Sequence, residues 1–276
     1  FFKQKTAYEI TYGDWSSDVC SSDLIIGIDA GGSTTKIVGI NANREIIAPI
    51  FIKAGDPVTS LFGAFGKFLH NNGLQLSDIE HIRITGVGSA YIETPIYGIP
   101  TTHVDEFTAD GLGAGKTTAL KRYIVVSMGT GTSFVQIDEK GIRHIGGIGL
   151  GGGSLVGLAK LTLNTGDIHQ IIRMAESGNE ANVNLQIGDI TNCQLPNLPM
   201  NATASLFGKV SDNVSPNDIA LGIIYAVLQT IGASAVLASL NSQIRDFVLI
   251  GNLARLPQCK RVFDELAQLY GVQFHI

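Results

Sequence analysis

The chain has 276 residues, 45% of them hydrophobic and 16% charged, with 33 glycines, a net charge of −5 and a mean hydropathy of +0.23. That length supports a substantial core in one large domain or two small ones, and an acidic balance without a basic cluster argues against nucleic-acid binding. No apolar run approaches the roughly 18–20 residues of a membrane span, residues 1–24 lack the apolar stretch of a secretory signal, and cysteines without metal-ligand or framework spacing point to a reducing, cytoplasmic setting.

Residues 1–24 show no amphipathic period and hold Trp15, the single tryptophan, and Cys20. Within them, KQKTAYEI and DWSSDVCSSDL read as the two halves of a translated sequencing adapter, so the segment is set aside as non-native. A genuine N-terminal extension is the alternative reading.

The organising stretch follows. Ile25-Ile26-Gly27-Ile28-Asp29-Ala30-Gly31-Gly32-Ser33-Thr34-Thr35-Lys36-Ile37-Val38-Gly39-Ile40 places β-formers on either side of two glycines and three hydroxyl residues. It predicts a β-hairpin whose tight turn offers backbone N–H groups to an anion. Asp29 at the strand end is placed to hold a metal ion, and the turn from Gly31 to Lys36 to hold phosphates. The spacing is not that of a P-loop, and a strand follows rather than a helix.

Glu45–Lys53 reads as a third strand. Pro57 opens an amphipathic helix through Leu61, Phe62, Phe65, Phe68 and Leu69, and His81–Gly88 gives a short buried strand ending in glycines. This β-β-β-α-β series matches one half of a ribonuclease-H-like ATPase fold. A helix from about Asp105 towards Lys121 follows a strand tip at Thr101–His103. Asp105 and Glu106 at its start have two readings, acids that favour the helix dipole or a catalytic carboxylate. His103 lacks a partner at ligand spacing and reads as structural.

Tyr123–Ile137 repeats the opening idea around Ser127-Met128-Gly129-Thr130-Gly131-Thr132. Two such hairpins describe two lobes clamping one nucleotide, an echo of architecture rather than of residue identity. Ile145–Leu158 is glycine-dense and runs into a helix, which favours close backbone approach to a ligand at a helix N-terminus over a flexible linker. A helical piece spans Asp167–Gly178, and Asn179–Thr203 reads as an insertion or cap loop. Ser215-Pro216 starts a long apolar helix to about Leu240, buried in part against a second subunit. Phe247–Ile250 is a buried strand that meets a helix start at Gly251-Asn252, with that helix running to Tyr270. Gly251 there lets an adenine approach, or simply makes an ordinary strand-to-helix turn. The final run, Val272–Ile276, is strand-like with no closing helix, and a C-terminal truncation is expected.

The ordered set IGIDAGGSTTK, VDEFTADG, SMGTGTS, IGGIGLGGGSLVGL and VLIGNLA resembles type II pantothenate kinases, within the superfamily of hexokinases, actin and chaperone ATPases. The resemblance implies an α/β protein with a two-lobed ribonuclease-H-like (actin/hexokinase-type) ATPase fold of mixed sheets flanked by helices. Its lobes would span residues 25–121 and 122–276. It implies ATP- and Mg²⁺-dependent phosphorylation of pantothenate to 4′-phosphopantothenate in a homodimer, the first step towards coenzyme A. The nucleotide would be held by Gly31, Gly32, Ser33, Thr34, Thr35 and Lys36, by Gly129, Thr130 and Gly131, by Gly152, Gly153, Ser154, Leu155 and Val156, and by Gly251 and Asn252. Asp29 would hold Mg²⁺ through water. Glu106 would be the catalytic base, because the position before the second hairpin, where sugar kinases of the superfamily carry an acid, is Ser127 or Met128. Thr130, Thr203 and Ala204 would touch pantothenate, the last two across the dimer.

One position departs from the family. Where many members carry a substrate-binding arginine before the second glycine-rich stretch, this chain has His144 preceded by Arg143. An imidazole is a weaker partner for a carboxylate than a guanidinium, and neighbours in a strand point to opposite faces. Other readings therefore stay open: a sugar or amino-sugar kinase, a dehydratase-activator ATPase, or a non-catalytic nucleotide binder.

Overall fold

The structure, a computed structural model, describes residues 24–276 apart from 54, 94 and 197. The suspected adapter lies outside the described residues up to residue 23. Its last residue, Leu24, instead opens the first strand and is buried in the core.

The described chain falls into two compact units. One runs through Lys121 and includes Val135–Arg143; the other comprises Arg122–Phe134 and His144–Ile276. A single cut after Lys121 therefore does not describe the division, because the outer part of a later hairpin groups with the first unit.

In the first unit, β1 (Leu24–Ala30), β2 (Thr34–Ile40), β3 (Ile46–Lys53), α1 (Pro57–Asn72), β4 (Ile79–Thr85), β5 (Thr101–His103) and α2 (Glu106–Thr117) follow in order. The sheet order is β3-β2-β1-β4-β5. β1 pairs antiparallel with β2 and parallel with β4, and β4 is parallel to β5. Every residue of β1 is buried. That explains its near-continuous apolar run, since a central strand covered on both faces has no solvent face to make polar. α1 starts at Asp56, whose carboxylate accepts from the Thr59 N–H at 2.7 Å, with Pro57 next. It ends at Gly73 with φ +62°. Its buried stripe, Leu61, Ala64, Phe65 and Phe68, joins Ile26, Ile28, Ile37, Ile82 and Ile84 in one core.

The second unit contains β6 (Tyr123–Met128), the start of β7 (Thr132–Asp138) and the end of β8 (Gly141–Ile148). It continues through α3 (Gly152–Leu163), α4 (Ile168–Glu176), β9 (Leu185–Gln186), α5 (Ile187–Ile190), β10 (Thr203–Ser205), α6 (Pro216–Ser239), β11 (Asp246–Ile250), α7 (Cys259–Tyr270) and β12 (Gln273–His275). Its sheet has the order β12-β11-β6-β7-β8, with β11 parallel to both neighbours. Ser215 caps α6 by accepting from the Asp218 N–H at 3.1 Å. The helix then packs against α3, α4 and α7.

Three expectations change here. α6 is long and apolar enough to cross a membrane, with a mean hydropathy of 1.9 over 18 residues, contrary to the expected lack of any such run. However, 67% of that window is buried inside the protein. The helix expected from Gly251-Asn252 to Tyr270 is two pieces, a 3-10 turn at Asn252–Arg255 and α7 from Cys259. Pro257 lies between them and cannot continue a helix. The helix expected to run towards Lys121 stops at Thr117.

Candidate active site

In the first unit the hairpin forms in the expected register, with Asp29 opposite Lys36 and Ala30 opposite Thr35. The Gly31 N–H donates to the Thr34 carbonyl at 3.0 Å, and a Cβ on Gly31 would lie 2.9 Å from that oxygen. Gly32 and Ser33 are exposed at the tip, Thr34 is half-buried and Thr35 is buried. Lys36 Nζ donates to Asp29 Oδ2 at 2.7 Å, with side-chain exposures of 16% and 5%. The lysine expected to meet phosphate thus sits on the acid expected to meet metal. A partly buried pair of this kind keeps both charged groups in place beside the turn.

The strand ends line up. Asp29 pairs with Thr85 and Ile84 with His103, and the Val104 N–H donates to the Ile84 carbonyl at 2.8 Å. Asp29, Thr85 and the turn leading to Glu106 therefore leave the same C-terminal edge of three parallel strands, where open α/β sheets bind ligands. Of the two acids in that turn, Asp105 is the N-cap of α2. Its carboxylate accepts from the Thr108 N–H at 2.8 Å and the Thr108 hydroxyl at 3.0 Å. Glu106 is the first helical residue and is half-buried. Asp105 caps the helix, and Glu106 stands in its first turn without serving as the cap.

Among the described residues no group of three His, Cys, Asp or Glu could hold a metal. Mg²⁺ needs less, since it keeps several waters and binds through one or two carboxylates plus phosphate oxygens. Asp29, 4% exposed, supplies one such carboxylate, and in the next strand Thr85 is 1% exposed with a hydroxyl that has no hydrogen-bond partner. A buried hydroxyl without a partner costs about 1–3 kcal/mol. These residues fit a hydrated Mg²⁺ carried in with a nucleotide. Asp29 would hold it.

In the second unit three segments converge through backbone. The Gly129 N–H donates to the Gly131 carbonyl at 2.9 Å, closing the turn between β6 and β7. The N–H groups of Gly152 and Gly153 donate to the carbonyls of Gly129 and Thr130 at 2.8 and 3.0 Å, which seats the start of α3 on that turn. Gly151 allows this approach: a Cβ there would lie 2.7 Å from Gly131 Cα and would strike the Thr130 carbonyl oxygen. Thr132 Oγ1 adds a donor bond to the Leu150 carbonyl at 2.8 Å, and Ser154 Oγ one to Gly149 at 2.8 Å. Gly251, at φ +96°, runs past the Met128 backbone, where a Cβ would come 2.6 Å from the Met128 carbonyl carbon. Leu253, just after Asn252, comes close to Gly152.

Gly129, Thr130, Gly131, Gly152, Gly153, Ser154, Gly251 and Asn252 thus belong to one cluster of turns. Leu155 and Val156 do not share its surface. Leu155 is fully buried and Val156 packs on the same core, so their side chains are committed there. Arg143 and His144 are adjacent and exposed on β8. Thr203 and Ala204 lie on β10 and line a cavity of about 520 Å³ with Gln229, Thr230 and Glu265. Burial pushes the Glu265 carboxyl up, against the opposing pull of the Arg261 guanidinium that donates to it at 3.1 Å. Cys259 is buried, its thiol pushed up to about 12 by desolvation, and Cys193 is exposed.

Two contributors escape sequence reasoning. Thr132 gives no signal beyond being one more hydroxyl in a Gly/Thr turn. Thr85 gives a faint one, a hydroxyl residue closing β4 just before Gly86.

The Fumble family model matches residues 112–261. A type II pantothenate kinase of Staphylococcus epidermidis is 30% identical over 217 residues, which are 74% of this chain and 77% of that protein. One of Staphylococcus aureus is 29% identical over 236 residues, 82% and 84% of the two chains. Among solved structures, the activator of the 2-hydroxyisocaproyl-CoA dehydratase from Clostridium difficile with bound ADPNP aligns with a TM-score of 0.63 at 17% identity, covering 91% of this chain and 87% of that one. A ROK family protein from Streptococcus pneumoniae in complex with sucrose aligns with a TM-score of 0.54 at 13% identity, covering 89% and 86%. At such low identity these two structures speak for the fold alone, that of the actin/hexokinase-like ATPases. Taken with the family match and the Staphylococcus relatives, the ordered motifs place this chain in the family of type II pantothenate kinases.

Proposed function

We propose that this protein transfers the terminal phosphoryl group of ATP to the hydroxyl of pantothenate, giving 4′-phosphopantothenate for coenzyme A biosynthesis. The observation that carries the reading is its 30% identity to a type II pantothenate kinase across 77% of that relative. The backbone geometry supports it. In the first unit, the Gly32-Ser33 tip is exposed to an approaching phosphate, and Asp29 stands ready for Mg²⁺. When bound, Mg²⁺ neutralises charge that develops on the phosphates. In the second unit, the Gly129–Gly131 turn and the start of α3 form a surface without side-chain bulk where a nucleotide can lie against backbone.

Glu106 accepts the proton from the pantothenate hydroxyl as the phosphoryl group moves, a role worth about 10²–10⁴-fold in rate. Thr130, Thr203 and Ala204 touch pantothenate, and one of Arg143 and His144 meets its carboxylate. The protein works as a cytoplasmic homodimer. Its second unit carries the apolar side chains of Leu237 and Leu240, 66% and 65% exposed at the end of α6, with Leu237 at the cavity that Thr203 and Ala204 line.

ADP release from the chain lacking residues 1–23, offered pantothenate, N-acetylglucosamine, glucose or no acceptor, tests the substrate. Stimulation by pantothenate alone is expected, and stimulation by a sugar instead would overturn the reading. Light scattering tests the dimer, which a mass of one chain would refute.

A further inference from the structure

Lys36, Asp29 and Thr85 occupy paired positions on β2, β1 and β4, so their side chains leave the same face of the sheet. This is the face opposite Ile28 and Ile84, which belong to the core with α1. Asp29 is held from one side by Lys36. From the other, the backbone just after Thr85 presses on it: Gly86 has φ +87°, and a Cβ there would be 2.5 Å from Asp29 Oδ1 and 2.6 Å from the Ala30 carbonyl oxygen. Thr85 itself is 1% exposed, and its hydroxyl has no hydrogen-bond partner.

Valine has the shape of threonine and would bury the same surface without an unsatisfied hydroxyl. A threonine here is explained if its partner arrives with a ligand. The neighbouring carboxylate limits what that ligand is. Asp29 attracts a cation, and a cation that keeps its waters would present O–H donors that a threonine hydroxyl can accept. We infer that Thr85 is a positioning residue for the nucleotide-bound divalent cation. Its hydroxyl hydrogen-bonds a water of the cation's hydration shell and holds that water against the Asp29 carboxylate. This rests on the ATP reading and extends it to a residue that touches neither phosphate nor acceptor.

The test compares wild type, Thr85→Val and Thr85→Ser, with Mn²⁺ binding to the ADP complex followed by electron paramagnetic resonance. Binding of ADP in excess chelator is measured alongside. Loss of a partner in the outer shell weakens metal binding by about tenfold or more. Thr85→Val should therefore raise the Mn²⁺ dissociation constant about tenfold, leave metal-free ADP binding unchanged and melt no lower than wild type without ligand. Thr85→Ser should restore Mn²⁺ binding. An unchanged Mn²⁺ affinity in Thr85→Val, with wild type binding normally, would overturn the role of Thr85 alone. Wild type that binds no ADP with or without Mn²⁺ would refute the nucleotide reading and this inference with it.

Discussion

Gly251→Ala probes the convergence of turns in the second unit. Gly251 sits at φ +96° and ψ −178°, a region that is essentially glycine-only and costs another residue about 1–3 kcal/mol. The added methyl would also meet the Met128 backbone, striking the carbonyl oxygen and coming within 2.6 Å of the carbonyl carbon. Because the obstacle is main chain in β6, no rotamer change relieves it, and forced overpacking costs about 1–3 kcal/mol more. The sum is roughly 2–6 kcal/mol. For a unit of this size each kcal/mol moves the midpoint by about 2–4 °C, so a drop on the order of 10 °C is expected in thermal unfolding followed by circular dichroism. Gly157→Ala in α3 is the control. A Cβ there meets nothing within 4 Å, and alanine in a helix interior gains about 0.5–1 kcal/mol. If Gly251→Ala melts within a degree of wild type, the backbone packing described for this turn is wrong.

Three further outcomes are expected. Glu106→Gln should bind ATP like wild type while turnover falls about 10²-fold or more, and near wild-type rates in the ADP-release assay would exclude it as the base. Arg143→Ala and His144→Ala should differ in their effect on the pantothenate KM, since adjacent strand residues point to opposite faces; equal and negligible effects would remove both from substrate binding. Asp218 accepts from the Asn179 N–H at 2.7 Å and from Asn182 Nδ2 at 3.1 Å, and these bonds hold its carboxyl below the usual value of 3.8. A depressed folded value means that the unfolded chain binds the proton first. The stabilisation is thus complete above about pH 4 and fades as pH falls below it. The melting-temperature gap between wild type and Asp218→Asn should hold from pH 6 to about pH 4 and narrow as pH falls further, and a gap that stays constant below pH 4 would show that ionisation of Asp218 is irrelevant.

Much of the fold was legible because local signals agreed with one another. Gly31-Gly32 between two β-rich runs, Asp56-Pro57 and Ser215-Pro216 each leave few local conformations, and the strand ladder, α1 and α6 start where those residues require. The break between the 3-10 turn and α7 was also written in Pro257, but the amphipathic pattern on both sides hid it.

What the sequence determined by itself was the set of turns, the strand polarity around Asp29 and the order of motifs that marks the family, because backbone freedom and hydrophobic period are properties of neighbouring residues. Tertiary structure alone decided how those residues are used. It gave Asp105 to the helix cap and left Glu106 uncapping, turned Leu155 into core, brought Lys36 onto Asp29, and set Thr85 beside that acid with a buried, unpartnered hydroxyl. Each of these depends on which strands lie side by side and what burial removes from water, and residues far apart along the chain carry no local trace of either.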